Sequence, residues 1–214
     1  MEEYLVPTAF GQAEFVEKKS RFIGHIWPTE SEAEALARIE EMRKLHHDAT
    51  HNVWAYLIKD GPVRFSDDGE PGGTAGMPTL QVLQRERLLN VTCVVTRYFG
   101  GILLGAGGLV RAYARGAKIA VDAAGKSMKR VWTALYLPVP YSWYERMKLE
   151  VAAFDGLIRD TQFGADVELE VLLPEAQTTP FLDRLRDLSG ATLEALVTGQ
   201  EYRAFPLAET SAIP

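Results

Sequence analysis

Cysteine is almost missing from this chain. Cys93 is the one thiol among 214 residues, so no internal disulfide can form and nothing points to an oxidising compartment. It lies in the apolar run VTCVVT, where a buried, inert thiol is expected rather than a nucleophile. The opening segment MEEYLVP has neither a basic n-region nor an apolar h-region, so no signal peptide is expected. No uncharged apolar run reaches the roughly 18 residues of a membrane span, which makes the cytoplasm the expected location, with no membrane partner. There is no internal repeat and no low-complexity block. The G-x-x-x-x-G-K-[ST] phosphate loop, the G-x-S-x-G elbow and the H-E-x-x-H zinc helix are all absent. G-A-G-G-L-V at Gly105–Val110 lacks the last glycine of a dinucleotide fingerprint.

What is present suits a folded chain. Hydrophobic residues make up 47% and charged residues 24%, enough apolar material for a core. The net charge of −6 is unevenly spread. Residues 131–214 hold 6 Lys+Arg and 13 Asp+Glu, a net −7, which leaves 17 and 16, a net +1, for residues 1–130. That shift suggests domains at 1–130 and 131–206, followed by a disordered tail at 207–214. It also makes the first half the one able to approach a polyanion.

The first element read from the pattern is a strand at Ser20–Trp27. Ser31 and Glu34 fit a capping box, opening a helix whose apolar positions are Leu36, Ile39, Met42 and Leu45. Strands follow at Asn52–Ile58 and Val63–Ser66, then the glycine-rich loop DDGEPGGTAGMP. Pro78 suits the first position of a helix over Thr79–Arg87. Val91–Tyr98 is apolar on both faces and predicts a central strand. The loop FGGILLGAGG then feeds a helix over Leu109–Ala124, stopped by Gly125, and Lys126–Val131 reads as a linker. The second half predicts a β-α-β-β-α-β unit of ferredoxin-like order. The fold class is therefore α+β, with two domains.

Three features could carry chemistry. In TRYFGGILLGAGGLVRAYARGAK a strand delivers Gly100, Gly101, Gly105, Gly107 and Gly108 onto a helix start, where free amides and the positive helix end favour an anion. Arg111, near that start, makes most sense beside an anion, because a cation there opposes the helix dipole. Arg111, Arg115 and Lys118 share a face by their spacing, with Leu109, Tyr113, Ala117, Ala120 and Ala124 facing the core. Arg97 joins the basic face only if it points outward. The same residues also suit a tight turn and a solvated helix face. Tyr98 and Phe99 could stack bases or belong to the core. The second feature is the loop Ser66–Pro78, where Asp67, Asp68 and Glu70 could hold a hard cation, although Asp-Gly and Pro-Gly pairs are equally turn chemistry. The third is HHDATH. His46, His47, Asp48 and His51 form no H-E-x-x-H helix and have no second cysteine as a ligand, so a structural or recognition role is expected, with no metal and no cofactor.

Four stretches, KKSRFIGHI, HDATHNVWAY, RFSDDGEPGGTAGMP and VVTRYFGGILLGAGGLVRAY, together resemble the IMPACT family of bacterial and eukaryotic proteins. The resemblance covers about residues 15–125; the second half is similar to the small C-terminal domain of bacterial members. It implies a first domain like the second domain of a small-subunit ribosomal protein, with a left-handed β-α-β arrangement. It also implies a second domain like the fifth of elongation factor G. The family's eukaryotic members control an initiation-factor kinase through a protein partner and an extra N-terminal domain, a pathway not carried over to this chain. Gly72 stands where the family usually has serine, and Val53 where cysteine is common, so no catalysis is implied through either position. His51, Asp67, Asp68, Glu70 and Thr74 form a possible polar site; Arg97, Gly100, Gly101 and Arg111 belong to the same candidate surface. The resemblance implies a non-catalytic, translation-associated protein that binds RNA or the ribosome, with a protein partner as a further option. The alternative is a Mg²⁺-dependent enzyme, or a binder of a phosphorylated small molecule or nucleotide through the glycine loop.

Overall fold

Alternating apolar and polar residues open the chain with strands. β1 (Tyr4–Pro7), β2 (Gly11–Glu17) and β3 (Ser20–Pro28) come first, then α1 (Glu32–Leu45), β4 (His51–Leu57) and β5 (Val63–Ser66). α2 (Gly76–Arg85), β6 (Val91–Tyr98) and α3 (Ala106–Ala124) follow. β7 (Lys126–Val139) precedes a 3₁₀ turn at Tyr141–Trp143, α4 (Tyr144–Ala153), β8 (Leu157–Phe163), β9 (Val167–Pro174), α5 (Glu175–Ser189) and β10 (Leu196–Pro206). The structure is a computed structural model that describes residues 3–206, so the tail expected at 207–214 lies outside the described residues. The fold is α+β, and the chain divides into two units, Tyr4–Met128 and Lys129–Arg203.

In the first unit the sheet order is β2-β3-β6-β4-β5, with every neighbouring pair antiparallel. β6 is central because both of its faces are apolar. Val91, Cys93 and Val95 enter a core with α2 and α3, whereas Val94 packs with Ile39 and Met42 of α1. β3 and β4 flank β6 and run the same way, joined by α1, which gives the unit its β-α-β element. α3 lies directly on β3. A Cβ at Gly24 would sit 2.1 Å from the carbonyl oxygen of Gly116, so a bare backbone is required at that crossing.

In the second unit β7 pairs with β9 and β10, and β9 with β8. The order β8-β9-β7-β10 is that of a ferredoxin-like β-α-β-β-α-β sheet. Leu135, Leu137, Leu169 and Val171 alternate into its core against Met147 and Val151 of α4 and Phe181 and Leu185 of α5.

Some local expectations change. Two strands precede Ser20. Lys126–Val131 is strand, not linker: Ser127 and Val131 are buried, Lys126 pairs with Glu86, and the Arg130 guanidinium lies 4.8 Å from the Trp132 ring centroid. Its charges looked like a linker because the acid that pairs with Lys126, Glu86, is remote in sequence. α1 buries Ala35, Ile39 and Met42, while Leu36 and Leu45 are exposed. Ser31 Oγ accepts the Glu34 amide as a cap should, yet the Glu34 carboxylate takes the amide of Glu30 and not that of Ser31. No helix among the described residues is long and apolar enough to cross a membrane.

Candidate functional site

α3 starts at Ala106, three residues earlier than its pattern suggests, so Arg111 lies in the second turn. Gly101 and Gly105 turn the preceding loop at φ +82° and +74°, and Gly107 and Gly108 lie inside the first turn. Gly100 is pressed against the β2–β3 turn, where a Cβ would meet the Lys19 carbonyl carbon at 2.0 Å. That turn is unusual. Glu17 pairs with Ser20, and the two residues between them, Lys18 and Lys19, both hold positive φ, 44° and 64°. A two-residue hairpin of this kind normally uses Asn-Gly, and each lysine costs about 1 kcal/mol or more there.

The glycine contact brings the turn beside α3. Lys18, Arg111 and Arg115 line one cavity of about 240 Å³, together with Phe15, Glu17 and Leu104. The Arg115 guanidinium lies 4.3 Å from the Phe15 ring centroid. Neither Arg111 nor Arg115 has an acidic partner among the described residues, and neither does Lys18. Lys118 differs, since it pairs with Asp122 and, at 3.5 Å, with Glu86. Both acids raise its pKa, with the Asp122 hydrogen bond the larger cause. The exposed basic face is thus Arg111, Arg115 and Lys18, and Lys118 is largely neutralised.

Arg97 does not join that face. It is an odd-numbered position of β6, on the α2–α3 side of the sheet, and is 95% buried by its 5% exposure. Its guanidinium donates to Glu70 Oε1 at 2.6 Å and sits 5.3 Å from the Phe99 ring centroid; its Nε is buried without a partner. Tyr113, placed in the core by its spacing, donates to the same Glu70 oxygen at 2.7 Å. Burial first, then Glu70, pushes the Tyr113 hydroxyl pKa far up, so it remains a donor. His51 Nδ1 meets the Asp68 carbonyl at 2.8 Å, which leaves Nε2 3.7 Å from Glu70 Oε1. Glu70, Arg97 and His51 floor a second cavity of about 400 Å³, walled by Phe99, Leu103, Leu104 and the start of α3.

The other loop acids serve the backbone. Asp67 accepts the amides of Gly73, Ala75 and Gly76, so it caps α2 from a distance. Burial works to raise its pKa, but these three amides together hold it below the usual value. Asp68 accepts the Asn52 amide at 2.6 Å and pairs with Arg43. Thr74 Oγ1 donates to the Pro71 carbonyl. Asp67, Asp68 and Glu70 therefore address three different partner sets, and no group of three or more His, Cys, Asp or Glu converges as a metal site among the described residues. The histidines separate as well. His46 meets the Tyr98 hydroxyl at 2.9 Å on the α1 side of the sheet, opposite His51. It lies against His25, whose pKa falls to about 4, mainly through burial. Cys93 is buried and its thiol is pushed up to about 12 by burial alone, which makes it inert.

Lys18 and Leu103 were missed as site residues from sequence. The signal was the dipeptide Lys18-Lys19 between two alternating runs, a hairpin without turn residues.

The chain matches known proteins along most of its length. The Impact N-terminal domain model matches residues 18–121, and a domain model of unknown function, DUF1949, matches residues 137–192. IMPACT family member YigZ of Escherichia coli is 37% identical over 200 residues, covering 92% of this chain and 98% of that protein. IMPACT family member YvyE of Bacillus subtilis is 36% identical, covering 88% of each. Protein IMPACT of Rattus norvegicus is 36% identical over 109 residues, 48% of this chain and 34% of its own. A crystal structure titled as that of a hypothetical protein is similar at 37% identity and a TM-score of 0.59, covering 93% of this chain and 98% of that one. On this breadth of identity, the chain belongs to the IMPACT family.

Proposed function

We propose that the protein acts in or near translation by binding RNA phosphate, on a ribosomal surface or on free RNA, through the face made by Lys18, Arg111 and Arg115. One observation carries this reading: three cations from two separate elements line a single cavity, and although Glu17 lines it too, none of the three is ion-paired among the described residues. Holding like charges together costs free energy unless an anion is shared. The strained Lys18-Lys19 turn points the same way, because residues kept at unfavourable φ cluster at functional sites. The likeness to a ribosomal protein and to elongation factor G that the family resemblance implies supports the translation setting. The charge split between the two halves places the attraction for phosphate in the first half, which has a net +1 against −7.

The test is binding of purified protein to ribosomes and to single-stranded RNA across a salt series. Wild type should weaken steeply as salt rises, and Arg111→Glu/Arg115→Glu should lose binding. Lys118→Glu, at a site whose charge is already neutralised, should have a much smaller effect. Equal losses from both variants would contradict the assignment.

A further inference from the structure

The cavity beside the basic face is unlike a phosphate site. Its floor holds Glu70 and Arg97, which neutralise each other, and its walls are Phe99, Leu103 and Leu104. Leu104 lines both this cavity and the cationic one, so the two adjoin. Two polar features are left over on the floor, and a third lies buried beneath it. Arg97, Tyr113 and His51 all address Glu70 Oε1, which leaves Oε2 without a protein partner among the described residues. The Arg97 Nε is buried and unpartnered. His51 Nε2 makes no hydrogen bond among the described residues and lies 3.7 Å from Glu70 Oε1. Above them Phe99 is 44% exposed and Leu103 81% exposed, apolar surface that folding alone does not explain. The Phe99 amide donates to Thr50 Oγ1 at 3.0 Å, which fixes the backbone that carries the ring.

We propose that this cavity takes one unpaired nucleobase that carries an exocyclic amino group, while the adjoining basic face holds the neighbouring phosphate of the same strand. The proposal rests on the RNA-binding reading above. The exposed Phe99 ring offers a stacking surface for a flat base, since single-stranded bases are commonly held on aromatic side chains. The free carboxylate oxygen accepts from an amino group, as acidic side chains do from cytosine N4, whereas uracil turns a carbonyl oxygen to it at that position and has only its ring N3–H to donate. About 400 Å³ is room for a base and its sugar, with the phosphate left outside at Arg111.

The experiment compares fluorescently labelled oligo(C) and oligo(U) of equal length, read by anisotropy over a salt series with the full chain. Oligo(C) should bind about tenfold more tightly than oligo(U). Phe99→Ala should weaken oligo(C) by about tenfold with the salt slope unchanged, and Glu70→Gln should erase the preference for C. Because Glu70 is a buried partner of Arg97, Leu103→Asn provides the control at an exposed site, and it should weaken oligo(C) without loss of fold by circular dichroism. Equal binding of C and U, with Phe99→Ala and Leu103→Asn like wild type, would overturn the base site. The basic-face reading would survive that result if binding stayed salt-sensitive and was lost in Arg111→Glu/Arg115→Glu. No binding to either strand at low salt would remove both.

Discussion

Single side chains here are often held against their own preference. Lys18 and Lys19 occupy turn positions that Asn and Gly would fill without strain. Lys18→Asn/Lys19→Gly should therefore raise stability by about 1–2 kcal/mol in urea denaturation, while weakening RNA binding. A variant that is both more stable and fully binding would argue that the lysines are incidental. Asp67 shows the opposite economy, one carboxylate satisfying three amides. Asp67→Ala should cost about 1–3 kcal/mol at neutral pH, the range for hydrogen bonds to a charged group lost at a helix start. Its folded pKa lies below the unfolded value of 3.8, so the unfolded chain takes up the proton first. The contribution is complete above that value and is lost as pH falls through the folded pKa. An acid titration of stability should show this loss in wild type and a shallower one in the variant.

Among the elements, α3 carries most of the consequence, because it is both a wall of the core and the carrier of the basic face. Its seat on β3 depends on Gly24 meeting the Gly116 carbonyl with no Cβ between them. Gly24→Ala must push the helix off the strand; overpacking of this kind costs about 1–3 kcal/mol. Thermal melts should show that loss, together with weaker RNA binding, since Arg111 and Arg115 would move away from Lys18. The face of α3 was legible in its sequence, as Leu109, Tyr113, Ala117 and Ala120 recur at helical spacing and all are buried. So were the central place of β6 and the β-α-β-β-α-β order of the second half. β2 was not, because its alternation buries few side chains: Gly11 is fully buried, while Gln12, Glu14 and Val16 are exposed. Which way Arg97 points was set by register, since His51 opposite it and the odd positions of β6 all face α2 and α3. A single strand read alone does not reveal that. Nor does spacing disclose that Lys118 is claimed by Glu86, which lies 32 positions upstream beyond an intervening strand.

For the whole molecule, charge is the governing property. With a net −6 the chain as a unit repels RNA, so binding must come from a local field. That field is concentrated in Tyr4–Met128, where Arg111, Arg115 and Lys18 have no acidic partner among the described residues, while the net −7 of residues 131–214 disfavours contact elsewhere. Association should accordingly be specific to one face and strongly dependent on ionic strength, falling off within a Debye length of about 8 Å at physiological salt. The most direct measurement is the dissociation constant for single-stranded RNA against salt, wild type beside Arg111→Glu/Arg115→Glu. The account predicts a steep log–log slope for wild type that collapses in the double variant, whose fold is intact by circular dichroism. Binding that is indifferent to salt, or a double variant that binds as wild type does, would contradict it.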